Sequence, residues 1–148
     1  MVILQYQTGH RARCVEIFDS NVGEYFAPWE RSEFIEFLDS LDVGPEYYVC
    51  ISDGQVVACG GVRIKSPIAE LAWGMVHKDC HGKGIGTILT DYRLLYLEKS
   101  TGIECVKIDT SQHTEGFYKK RGFIVTKSIH NGFGEGIDCV SMKLVTGI

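Results

Sequence analysis

Three glycines in five residues, within His81-Gly82-Lys83-Gly84-Ile85-Gly86-Thr87, are the stretch of this chain best suited to holding an anion. They separate an apolar run, Ala69 to Val76, from a segment in which Ile85, Ile88, Leu89, Tyr92, Leu95 and Tyr96 recur at helical spacing. A glycine run between a buried strand and the first turn of a helix offers free backbone N–H groups and the positive end of the helix dipole. It also lets a phosphate come close to the main chain. Lys83 adds a cation. The spacing excludes two common phosphate loops: a P-loop would place its lysine after the last glycine, and a Gly-x-Gly-x-x-Gly fingerprint starting at Gly82 would need glycine where Thr87 stands. The neighbouring His77-Lys78-Asp79-Cys80-His81 brings metal-ligating side chains together, but it matches no common zinc spacing and has no second cluster, so no metal is expected.

These residues need a scaffold, and the pattern supplies one. Ile3 to Gln7 reads as a strand and His10 to Asn21 as a helix. Pro28 starts a second helix that runs through Phe34, Phe37, Leu38 and Leu41. Asp53-Gly54 between Tyr47–Ser52 and Gln55–Ile64 predicts a two-residue hairpin. Ala69 to Val76 is a fourth strand, in which Gly74 predicts a bulge or a close backbone approach. The helix from Gly84 to about Ser100 stops at Gly102, and Glu104 to Thr110 follows as a strand, so the crossover implies parallel pairing. Thr114 to Gly122 reads as a short helix capped by Thr114, with cations at Lys119, Lys120 and Arg121 near its end. Phe123 to Ile129 and Ile137 to Val145 close the chain as strands, joined by a glycine-rich loop, His130 to Gly136.

The glycine loop after Met75-Val76 resembles the acetyl-CoA-binding motif of the GNAT superfamily of N-acetyltransferases, [Arg/Gln]-x-x-Gly-x-[Gly/Ala], matched at His81, Gly84 and Gly86. His81 departs from it, standing where the family usually has Arg or Gln. A second run, Phe117-Tyr118-Lys119-Lys120-Arg121-Gly122-Phe123, is similar to the family's Phe/Leu-Tyr-x-x-x-Gly-Phe throughout. The resemblance implies an α/β (α+β) GNAT fold, a mixed and mostly antiparallel sheet flanked by helices, with acetyl-CoA as acyl donor between the fourth and fifth strands. It implies donor contacts from Met75, Val76, His81, Gly82, Lys83, Gly84, Ile85, Gly86 and Thr87. Gln112 or Ser111 would stand in for an asparagine that many relatives carry. Glu70 falls where some members hold a general base, which the reaction needs because an amine of pKa near ~10 cannot attack until it loses a proton. Tyr118 falls where the family places a hydroxyl near the thioester sulfur, as general acid for the departing thiolate. Tyr25, Phe26 and Trp29 lie in the region that covers the acceptor, with Phe133 and Glu135 as further specificity residues.

The implied reaction is direct transfer to a primary amine of a small molecule. The alternative is a GNAT-fold module that binds acyl-CoA as a sensor without turning it over. The 148 residues, 45% hydrophobic and 23% charged, predict one domain spanning 1–148. A net charge of −4 argues against a nucleic-acid partner, and no apolar run is long enough to span a bilayer. Six cysteines without a Cys-x-x-Cys pair, mostly inside apolar patterns, read as reduced thiols of a cytoplasmic protein. Homodimers are common in the superfamily, and no residue here establishes one.

Overall fold

The computed structural model describes residues 1–41 and 46–145. Its centre is a seven-stranded sheet, β1 (Val2–Gln5), β2 (Glu46–Ser52), β3 (Gln55–Lys65), β4 (Ile68–Val76), β5 (Cys105–Thr110), β6 (Ile124–Gly134) and β7 (Ile137–Val145), in the order β1-β2-β3-β4-β5-β7-β6. All pairings are antiparallel except β4 with β5. Helices α1 (Arg11–Ser20) and α2 (Glu30–Asp39) precede β2; α3 (Ile85–Glu98) is the crossover from β4 to β5, and α4 (Glu115–Lys119) is a short turn before β6.

Apolar residues at helical and alternating spacing sort the core onto both faces of the sheet. Cys14, Ile17, Phe18, Phe34, Phe37 and Leu38 from α1 and α2 pack on Tyr47, Val49, Cys59 and Met75. On the other face, Ile85 and Leu89 of α3 meet Tyr48, Cys50 and Ala58, while Leu97 joins Val62, Leu71 and Val106. Asp53 and Gly54 both take positive φ, 51° and 76°, which is the primed turn that matches strand twist.

Two local expectations are corrected. Thr114 does not cap α4 with its side chain; its hydroxyl is engaged by Thr110 Oγ1, so the competing partner displaces the cap. The expected loop at His130–Gly136 is largely strand, because β6 continues to Gly134. The register slips between Ile129 and Gly134, and the excess chain is folded by side chains: Asp138 Oδ1 accepts Asn131 N–H at 2.9 Å, and Asn131 Oδ1 accepts Gly136 N–H at 2.9 Å.

Candidate active site

Parallel pairing of β4 and β5 covers three pairs, Ile68 with Cys105, Ala69 with Val106 and Glu70 with Lys107, and then stops. Beyond it the strands part, and the space between them belongs to a cleft of about 1110 Å³. The expected bulge lies on its wall. Cys59 pairs with Met75 but Gly61 with Ala72, so Trp73 and Gly74 together oppose Gly60, and Trp73 takes φ +48°. Tyr47 supports this bend, its hydroxyl donating to the Trp73 carbonyl at 2.7 Å.

The glycine loop opens at one end of the cleft. Gly82 and Gly84 take φ of +76° and +80°, and a Cβ at either would meet nothing within 4 Å, so backbone conformation rather than crowding calls for glycine there. The open space suits an anion at the N-terminus of α3, a helix of 14 residues. Gly86 is different: a Cβ there would find only Val76 Cγ2, at an ordinary 3.6 Å, so an alanine would fit at this position. Met75, Val76, His81, Gly82, Gly84, Ile85, Gly86 and Thr87 line the cleft; Lys83 is exposed and does not. His81 lies with Nε2 2.9 Å from the Val76 carbonyl, which also accepts from the buried Asn21 Nδ2 at 2.9 Å. Thus the histidine in the Arg/Gln position ties the loop back to the end of β4.

Tyr118 is buried between the rings of Phe117 and Phe123, edge-on at 5.0 and 5.5 Å, and it lines the cleft. No described residue hydrogen-bonds its hydroxyl. Gly122, at φ +94°, turns the chain out of α4, and Arg121 braces the helix by stacking 3.9 Å over Phe117 and pairing with Asp91. Gln112 faces elsewhere: its amide donates to the Gly136 carbonyl at 2.8 Å and accepts Asp138 N–H at 2.8 Å, clipping the β6–β7 turn. Of that segment Ser111 and His113 line the cleft, and Gln112 does not.

At the other end, Glu70 lines the cleft from β4, half-exposed, with Arg63 Nη1 at 3.4 Å. Trp73 and Phe133 join it on the wall. The three aromatics expected over the acceptor take separate positions. Tyr25 sits edge-on between His81 and His113, at 5.3 and 5.7 Å, and so spans from the glycine loop to the start of α4. Phe26 stacks on Phe18 at 4.8 Å and on Trp73 at 6.1 Å, which makes it an extension of the core with one side on the cleft. Trp29 donates from Nε1 to the Phe133 carbonyl at 2.6 Å, joining the α1–α2 connection to the β6–β7 hairpin. Gly134 packs closely there too, since a Cβ on it would lie 3.1 Å from Ala27 Cβ. Glu135 does not line the cleft.

Among the lining residues that no motif announced are Asn21, Glu30, Trp73 and Arg93. Glu30 is buried and its Oε2 accepts Ala27 N–H at 2.9 Å; its place three residues after Ala27, at a helix start, was the available signal. Burial pushes its carboxyl above the ordinary value, against the Ala27 hydrogen bond, with Glu33 adding to the rise. Arg93 announced itself only as a cation on an otherwise apolar helix face. The buried thiols offer no nucleophile: burial pushes Cys50 up to about 11, and Cys59 is also raised.

The fold is shared with many solved structures. The ribosomal-protein-S18-alanine N-acetyltransferase of Escherichia coli superposes with a TM-score of 0.81 at 18% identity, covering 99% of this chain and 94% of that one. The ribosomal-protein-alanine N-acetyltransferase of Brucella melitensis gives 0.78 at 16%, covering 99% and 100%. An aminoglycoside 6′-N-acetyltransferase complexed with coenzyme A gives 0.69 at 16%, covering 98% and 97%. No curated protein sequence matches. The profile of the acetyltransferase (GNAT) family matches residues 14–123, a span that takes in the glycine loop, the β4 bulge and Tyr118. The chain therefore belongs to the GNAT family of acetyltransferases, whose acyl donor is acetyl-CoA.

Proposed function

We propose that the protein transfers the acetyl group of acetyl-CoA to a primary amine of a small molecule by direct attack with both substrates bound. The observation that carries the small-molecule reading is the junction of Trp29 Nε1 with the Phe133 carbonyl at 2.6 Å, beside the close approach of Gly134 to Ala27. It ties together the two segments that would cover the acceptor, which favours a compact amine over a protein chain lying across them.

Acetyl-CoA supplies an activated thioester; the rest is done by this chain. The backbone at Gly82 to Thr87 receives the pyrophosphate, with the dipole of α3 behind it. Main-chain N–H groups of β4 near Gly74 to Val76 polarise the thioester carbonyl. Glu70, directly or through a water, takes the proton of the incoming ammonium, leaving an amine that can form the new C–N bond. As the C–S bond breaks, Tyr118 gives its hydroxyl proton to the sulfur, and the second proton that the acylated nitrogen must lose restores the phenol. A hydroxyl inside the cleft with no described protein partner suits that work.

The test is release of CoA thiol from acetyl-CoA across polyamines, aminoglycosides, amino acids and lysine or N-terminal peptides. Acceptor-dependent release with a small amine is expected, and Tyr118→Phe should lower kcat by ~10²-fold with CoA affinity retained. Glu70→Gln should lower kcat comparably. Turnover confined to peptides would replace the small-molecule reading, and CoA binding without release to any acceptor would favour the sensor.

A further inference from the structure

Arg93 lies on the inner face of α3, between Leu89 and Leu97, and is only 2% exposed. No carboxylate among the described residues pairs with it. Nη1 donates to the Gly61 carbonyl at 3.1 Å, Nη2 reaches Thr90 Oγ1 at 3.4 Å, and Nε has no partner among the described residues. A cation buried among neutral dipoles destabilises the fold that holds it, and an apolar side chain of similar volume would serve the core better. The chain nevertheless makes room for it. A Cβ on Gly74 would stand 2.7 Å from Nη2, and one on Gly60 would stand 3.2 Å from Cζ and from Nη1. The guanidinium thus crowds Gly74 most; at Gly60 the Gly74 Cα, 3.1 Å from such a Cβ, crowds the position as well.

The location gives the charge a use. Gly60 and Gly74 are where the β3–β4 ladder breaks, so the guanidinium backs the bulge from the α3 side while the Tyr47 hydroxyl holds Trp73 from the other. Arg93, Gly74, Met75 and Tyr118 line one cleft. In a site of low dielectric a fixed cation acts strongly on charge that develops nearby, and one anchored to a carbonyl need not reorganise as it does so.

We infer that Arg93 is a positioning residue for acyl transfer: from behind the β4 bulge it fixes the Gly74–Val76 main chain and adds a positive field that helps that backbone polarise the donor's thioester carbonyl. The inference rests on the acetyl-transfer reading above. Positioning gives the buried charge a purpose that packing alone does not.

The experiment uses the full chain as wild type, Arg93→Met and Arg93→Lys, with three readouts that need no acceptor: melting temperature, CoA affinity by calorimetry, and the carbonyl stretch of bound acetyl-CoA labelled with carbon-13 at the carbonyl. Arg93→Met should melt at the wild-type temperature or above and bind CoA within about threefold of wild type, while its thioester stretch moves up towards that of free acetyl-CoA. With any accepted amine its kcat should fall about 10–100-fold without a matching change in KM, and Arg93→Lys should recover most of both effects. An unchanged stretch in an Arg93→Met protein that still binds acetyl-CoA overturns the inference. So does a loss of melting temperature and CoA affinity shared by both variants, which would make Arg93 a packing residue. Failure of the wild type to bind acetyl-CoA removes the acetyl-transfer reading itself, and this inference with it.

Discussion

Gly84 and Gly86 sit two residues apart in the same loop and make opposite demands on a side chain. At Gly84, φ is +80°, so Gly84→Ala should lose about 1–2 kcal/mol of stability and weaken CoA binding as the loop distorts. At Gly86 the new methyl has room against Val76, so Gly86→Ala should leave stability level or improved and CoA affinity within a few-fold. Denaturant titration and calorimetry on the pair check this. Glu30 makes a pH-dependent contribution whose sign follows from burial. Its carboxyl is raised above the ordinary 4.5, so the folded protein holds that proton more tightly than the unfolded chain does. The associated stability is complete below 4.5 and is lost as pH climbs through the raised folded value. Glu30→Gln keeps an oxygen for Ala27 N–H but has no charge to bury. Its melting temperature should therefore gain on wild type as pH rises from 4.5 through the raised folded value and hold level above it, and a parallel pair of melting curves across pH would sink this account.

The elements that frame the cleft are joined by few bonds, and that is where substrate choice can be altered. Trp29 is 53% exposed, so Trp29→Phe should change overall stability by less than about 0.5 kcal/mol. It removes the bond to the Phe133 carbonyl, however, and should raise KM for a small amine several-fold while narrowing its advantage over peptides; the ratio of kcat/KM values for the two classes measures this. The β6–β7 hairpin was the element least legible in the sequence. Its three glycines suggested a loop, yet Asn131, Asp138 and Gln112 fold the excess residues into a continued strand. Those are contacts between distant residues, which local pattern cannot carry. The bulge in β4 was legible, because glycine weakens a strand and inside an apolar one it marks a bend or a close backbone approach. What held it was not: Tyr47 lies 26 residues from Trp73, and Arg93 lies on a different element altogether.

Across the whole molecule, periodicity placed the helices and strands in order and, the far end of β6 apart, within a few residues of their ends, and two motifs led to the family. The cleft's floor was hidden for a physical reason. Asn21, Glu30, Trp73 and Arg93 come from the end of α1, from α2, from β4 and from α3, and meet only after the sheet has formed. The parallel seam of β4 and β5 carries a further consequence. Three residue pairs are the ladder that joins β1–β4 to β5–β7, so the sheet is two plates sharing a short hinge line. A donor seated between the plates would serve as a splint as well as a reagent. At a hundredfold excess over its dissociation constant, CoA should add about 2.7 kcal/mol to stability. That stiffening would concentrate on amides from Leu71 to Val76 and from Ile108 to Thr110, where hydrogen exchange should slow most. The protein's rigidity would then track the cell's supply of acyl donor, and the empty form would be the one that proteases find first.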